Sequence, residues 1–371
     1  MLRTRHHRGI MGRSTGRVAP WRDFVSDTTR RDLTLGEIAG ECIASRRMRG
    51  RASRELESRL RPSRHPRDPG GAVWSAWHDM PLREIGPIEV AAWVAALRAA
   101  GRAPNTVRTL VTMLSVVMEY AVRTGAADHN PCRSLPRDTL PPKQVVDPDK
   151  ARLEVLTLED ARRVVGAHEL KHWAPWCGLL LTGLRWGELV ALRWRHVSRH
   201  VQPLGEIAVV ETYDCRTRET RPTKARIPRR VPVHPAFRRC LEWSRGWYRF
   251  RLRREPGASD LLFPFGVEGG RPKHWHANTA IKYFRRDLQA LGIADPAAGP
   301  RRLHATRHTF ASHLYRAGAQ WRLIESMTHH SGRQTAEGSA LPTYAHASWD
   351  DTCAAILRLP YGEGIGTARA V

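Results

Sequence analysis

Lysine is scarce in this chain. Six residues (Lys143, Lys150, Lys171, Lys224, Lys273 and Lys282) stand among 61 basic positions, and the other 55 are arginine. GC-rich coding explains that ratio, but not why basic residues exceed the 36 acidic ones by 25. A protein this basic needs a polyanionic partner, and nucleic acid is the commonest. Cysteine is sparse too: Cys42, Cys132, Cys177, Cys215, Cys240 and Cys353 are scattered, with no C-x-x-C pair. That argues against a zinc site and a disulfide framework, and fits a reducing cytoplasm. No apolar run approaches the ~18–20 residues of a membrane span, and no apolar core follows the basic N-terminus as a secretory signal requires. A soluble, cytoplasmic protein is expected. A G-x-x-x-x-G-K-[ST] loop is also missing, which argues against ATP hydrolysis by that route.

What is present is organised by helical periodicity. Residues 1–31 are arginine-rich and read as a flexible basic arm. A second basic run around 46–67 is broken by Pro62, Pro66 and Pro69. Pro87 to Ala100 reads as a helix stopped by Gly101. Asn105 is placed to cap the next, with Val107, Leu110, Val111, Leu114, Val117, Met118 and Ala121 on one face and Gly125 at its end. The first domain, 32–140, is therefore helical. A proline-rich linker follows, 141–153. The second domain, 154–358, opens on Thr157-x-x-Asp160, a capping-box-like start. An apolar helix over about 173–183 runs into Gly183-Leu184-Arg185. Short β-like runs at Ile207–Thr212 and Arg230–Val233 flank a polar turn region containing Lys224, and the pattern is helical again from about 276. Residues 359–371, rich in glycine, read as a flexible tail.

Five local segments carry chemistry. LLLTGLRWGELVALRW holds Arg185; TKARIPRRVPVHP holds Lys224; RRLHATRHTFASHLY holds His304-x-x-Arg307; and MTHHS, then PTYAHASWDD, hold His330 and Tyr344. In that order they resemble the tyrosine recombinase (phage integrase) family, whose catalytic domains run Arg, Lys, His-x-x-Arg, His, Tyr. The resemblance covers about 154–358 and extends more weakly into the helical domain, at Asn105-Thr106-Val107 and Asn130-Pro131. It implies a mainly α fold with a small β-sheet: a helical, SAM-like core-binding domain followed by a mixed α+β catalytic domain.

The resemblance assigns roles that the chemistry supports. Arg185 and Arg307 would clamp the non-bridging oxygens of the scissile phosphate, since planar guanidiniums match that array bidentately. His330 would donate a third hydrogen bond to it. His304 would orient Tyr344 and help deprotonate it, because imidazole titrates near neutrality. Tyr344 would be the nucleophile; Tyr361, in the tail, is its one serious rival. Lys224 would protonate the departing 5′ oxygen, which arginine cannot do with a pKa above ~12. Glu188 resembles the family's acidic brace for the first arginine.

This chain departs from the family in three places. Thr306 stands where relatives usually carry leucine, and His329 where glycine commonly precedes the second histidine. His330 and Tyr344 lie 14 positions apart, a longer separation than in typical members.

A phosphotyrosyl intermediate conserves the energy of the broken bond, so no cofactor and no metal is expected. The implied partners are double-stranded DNA recombination sites, gripped by a homotetramer on two duplexes, with a directionality factor; no membrane is involved, and nucleoid association would follow from DNA binding. Integration or excision of a mobile element is the expected role. A type IB topoisomerase-like relaxing enzyme and a non-catalytic DNA-binding regulator are the alternatives. The apolar residues Ala354, Ile356, Leu357 and Leu359 follow Ser348, a candidate cap. In the family such a helix commonly docks into a neighbouring protomer.

Overall fold

A computed structural model describes residues 30, 32–48, 77–143, 155–215, 217–223, 228–295, 299–328 and 348–361. Nearly all of the basic arm, most of the second basic run and most of the linker lie outside these. The chain divides into two compact units, Met1–Val145 and Val146–Val371. Among the described residues no helix is long and apolar enough to cross a membrane.

The first unit is helical: α1 (Leu35–Met48), α2 (Pro87–Ala99) and α3 (Pro104–Arg123). The seven residues expected on the apolar face of α3, Val107 to Ala121, are all buried. The six larger side chains each contribute about 1.5–3 kcal/mol relative to exposure, so the periodic stripe outweighs any cap. The start differs from expectation. Ala103 is the N-cap and Pro104 opens the helix, where a missing N–H costs nothing, so Asn105 sits inside the first turn. Asn130 does cap: its side chain accepts from the Cys132 N–H at 3.1 Å and donates to the Ser115 carbonyl at 3.0 Å, tying the segment after α3 back onto that helix.

The second unit wraps helices around α5 (Trp173–Thr182), all ten residues of which are buried. Before it lies α4 (Leu158–Gly166), capped as expected: Thr157 Oγ1 accepts from the Asp160 N–H at 3.0 Å. After it come α6 (Trp186–Ala191), β1 (Val197–Ser198), β2 (Glu206–Val209), β3 (Glu211–Asp214), β4 (Glu219–Pro222), β5 (Arg229–Pro232), α7 (Phe237–Leu252), β6 (Gly266–Glu268), β7 (Arg271–Lys273), α8 (Ala277–Ala290), α9 (His304–Arg316), α10 (Trp321–Thr328) and α11 (Trp349–Ile356). The expected small sheet is three antiparallel strands, β1-β2-β5, beside two hairpins, β3–β4 and β6–β7. In its register Ile207 pairs with Val231 and Val209 with Arg229. Strand alternation therefore sends Arg229 to the same side as Val231, inward, and Arg230 outward.

Ser348 caps α11 as expected, its Oγ accepting from the Asp351 N–H at 3.0 Å. Within the single chain, Ala355, Ile356 and Leu359 join the main core, whereas Ala354 and Leu357 are exposed. One expectation about the C-terminus is corrected: the flexible tail does not begin at 359. Leu359 and Tyr361 are buried, and the Tyr361 hydroxyl hydrogen-bonds to His313 Nδ1 at 2.9 Å. Two apolar side chains seated in a preformed core outweigh the local glycine content. Residues 362–371 lie outside the described set.

Candidate active site

The site forms where α5 gives way to α6. Gly183 ends α5 in the left-handed region (φ 63°), a turn only glycine makes without strain. A Cβ there would also stand 2.4 Å from Phe310 Cδ1. The turn delivers Arg185 to the N-cap of α6, with its side chain 43% exposed. Gly187, two residues on, lets α6 approach β3: a Cβ would lie 2.6 Å from Thr212 Oγ1.

Glu188, at the third position of α6, is buried and receives four hydrogen bonds. Oε1 accepts from Arg185 Nη1 and Arg229 Nη1, both at 3.1 Å; Oε2 accepts from the Arg185 N–H at 2.9 Å and Arg229 Nη2 at 2.5 Å. Burial pushes its carboxyl up, but the Arg229 bond and charge, joined by Arg185, outweigh that and hold it below the usual carboxylate range. Arg229 also donates from Nε to the Met327 carbonyl at 2.7 Å, near the end of α10. It thus links the α6 turn to the helix that leads into His330. The sequence reading overlooked Arg229; its signal was the alternation of β5, which puts it on the buried side with Val231.

Arg307 is 1% exposed. Its Nη1 donates to the Gly183 carbonyl at 2.7 Å, and its buried Nη2 has no hydrogen-bond partner among the described residues. Burial first, then the charges of Arg185 and Arg229 against Glu188, pushes this guanidinium down to about 9. Two guanidiniums bond the Glu188 carboxylate and Arg307 lies within its field, an excess of positive charge that an incoming anion relieves.

His304 precedes Arg307 by one helical turn, on the same face of α9. Its ring stands edge-on to His308, centroids 4.8 Å apart. The residue is exposed by surface area, yet the crowding of its buried part, then His308, Arg307 and Arg185, pushes the imidazole down to about 4. The positive end of α9 acts in the same sense. That direction favours the neutral imidazole. Thr306, in the usual leucine position, is buried and satisfied: its Oγ1 donates to the Leu303 carbonyl at 2.7 Å.

The structure thus brings Arg185, His304 and Arg307 into one electrostatic cluster. Lys224, between β4 and β5, His330, just past α10, and Tyr344, just before α11, lie outside the described residues.

Known proteins resemble this chain in sequence and in fold. The model of the "Phage integrase family" matches residues 155–348. A "Tyrosine recombinase XerC-like" protein from Caldanaerobacter subterraneus subsp. tengcongensis is 24% identical over 281 residues, covering 69% of this chain and 67% of the relative. A "Tyrosine recombinase XerC" from Brucella melitensis biotype 1 is 28% identical over 271 residues, covering 69% and 74%. In fold, the chain resembles the Tn1549 transposon integrase in complex with transposon right end DNA, with a TM-score of 0.60 at 18% identity over 88% of this chain and 99% of that one. It also resembles a lambda integrase tetramer bound to a Holliday junction, with a TM-score of 0.57 at 16% identity over 87% and 84%.

Proposed function

The chain belongs to the phage integrase family and is a site-specific recombinase; from that premise we propose that it cuts and rejoins DNA through a 3′-phosphotyrosyl bond on Tyr344. The observation that carries this is the buried Arg307 guanidinium, whose Nη2 lacks a partner among the described residues, beside Arg185 and the neutral His304. A phosphodiester supplies the missing acceptor. As Tyr344 Oη attacks phosphorus, its proton passes to His304 and the bond from phosphorus to the 5′ oxygen breaks. Lys224 protonates that oxygen, while Arg185, Arg307 and His330 hold the non-bridging oxygens. The 5′ hydroxyl of a partner strand then attacks the phosphotyrosyl linkage and releases Tyr344. No step requires a nucleotide or a metal.

Four protomers on two duplexes complete the reading, with the recombination sites of a mobile element as substrate. Covalent trapping on a nicked duplex tests the chemistry. Tyr344→Phe abolishes the adduct with DNA affinity nearly unchanged, whereas Tyr361→Phe still forms it, because the Tyr361 hydroxyl is committed to His313. An adduct from Tyr344→Phe refutes the assignment. A two-site plasmid assay run beside supercoil relaxation separates recombination from topoisomerase-like activity.

A further inference from the structure

A second concave site lies in the catalytic unit, and its lining shares no residue with the arginine cluster. It is a cleft of about 620 Å³. One wall is α7, where Trp243, Trp247 and Phe250 fall at i, i+4 and i+7 and so form a single stripe. Gly246 lies in the same wall, and a Cβ added there would meet nothing within 4 Å. The opposite side is made by Phe265, Trp275 and Tyr283.

Two features define what fits. The lining is mostly aromatic, and Phe250, 69% exposed, is an unusually open ring for its size. The charged side chains that line the cleft, Lys171 and Arg251, are of one sign and no carboxylate lines it; Arg286, over Tyr283 at 4.6 Å, is already paired with Asp287 at 3.0 Å. A ligand for this cleft is planar and anionic. Aromatic platforms flanked by cations are how proteins hold unpaired bases without reading sequence. An extended peptide would want an open strand edge, and this wall is a helix.

We propose that the cleft binds an unpaired nucleotide, its base stacked on the α7 aromatics and its phosphate on Lys171 and Arg251. The nucleotide is either free or part of a single-stranded DNA segment, and the two are distinguishable.

The test uses the full chain and its tryptophan fluorescence, titrated with dAMP, with a (dA)6 oligonucleotide and with a blunt duplex. Both single-stranded probes quench saturably. Trp247→Ala weakens them on the order of tenfold, the loss of one stacking platform. Gly246→Leu, which fills the cleft and leaves every aromatic in place, does the same with an unchanged circular dichroism spectrum. Duplex affinity is unaffected by either variant. Binding of (dA)6 at least ten times tighter than dAMP identifies a strand segment; equal binding identifies the free nucleotide. The proposal is overturned if neither probe binds, if Gly246→Leu leaves binding intact, or if the acidic peptide Asp-Asp-Phe-Asp-Asp saturates the cleft while nucleotides do not. Repeating the titration on Tyr344→Phe separates this site from the cleavage reading, because base binding there is unchanged.

Discussion

Arg307 and Gly183, 124 residues apart, are joined by a 2.7 Å hydrogen bond from the guanidinium Nη1 to the glycine carbonyl. That bond spends one arm of Arg307 on the turn that presents Arg185 and leaves Nη2 for an anion. Phe310, one turn further along α9, closes the space a Gly183 side chain would need. The two arginines are therefore set by one contact rather than positioned independently.

Arg307→Ala and Arg185→Ala each lower DNA cleavage on the order of 10³-fold, as with other donors that stabilise a developing oxyanion. Because they share an anchor, the double variant loses less than the product of the singles. Gly183→Ala, strained by about 1–2 kcal/mol from its positive φ alone, lowers both stability and cleavage. Trapped-adduct rates and thermal melts measure these; full multiplicativity of the arginine pair would separate their sites.

Arg229 is expected to govern both stability and catalysis. Arg229→Met leaves the Glu188 carboxylate buried without its main partner, which costs about 3–5 kcal/mol. At roughly 2–4 °C per kcal/mol for a unit of this size, the melting temperature falls visibly. The double variant Glu188→Leu/Arg229→Met recovers much of that stability, since removing both charges of a buried pair is far milder than removing one. Cleavage does not recover, because Arg185 has lost its brace. Recovery of both would reduce the pair to a structural role.

Stability falls as the solution is acidified below about pH 6.5. Burial, before any other influence, pushes His234, His274 and His304 each down to about 4. The unfolded chain, with histidine near 6.5, then binds more protons than the folded one, so the stabilisation is fully present above pH 6.5 and lost as pH drops toward 4. His234, 5% exposed and accepting the Ala236 N–H through Nδ1, carries more of this than His304 with its solvent edge. Calorimetry at pH 7.5 and 5.0 reads the difference, and His234→Asn flattens it. A melting temperature that rises on acidification would contradict the assignment.

Lys224→Ala slows cleavage of ordinary DNA because the 5′ oxygen leaves without a proton. A substrate with sulfur at the 5′ bridging position has a much better leaving group and restores much of the rate. Without that rescue, Lys224 is a DNA contact and not the acid.

Local rules carried far in this chain. The apolar stripe of α3, the Thr157 and Ser348 caps and the glycine stops depend on neighbours a few residues away, so periodicity and cap chemistry predict them. Even the misplaced start of α3 had a local sign, the proline at 104. The ordered motif residues Arg185, His304 and Arg307, which the fold brings into one cluster, stood out for a related reason: the chemistry proposed for them restricts which residue types can stand there. Contacts between distant segments were not legible. Arg229 reads as one more basic residue in a basic run until the β2–β5 register turns it inward to Glu188, 41 positions away. Tyr361 reads as tail until its hydroxyl pairs with His313, 48 positions away. Burial of a charge or a hydroxyl is decided by which partner the fold brings within 3 Å, and that distance is a property of the packed chain, because unpaired polar groups are too costly to bury anywhere else.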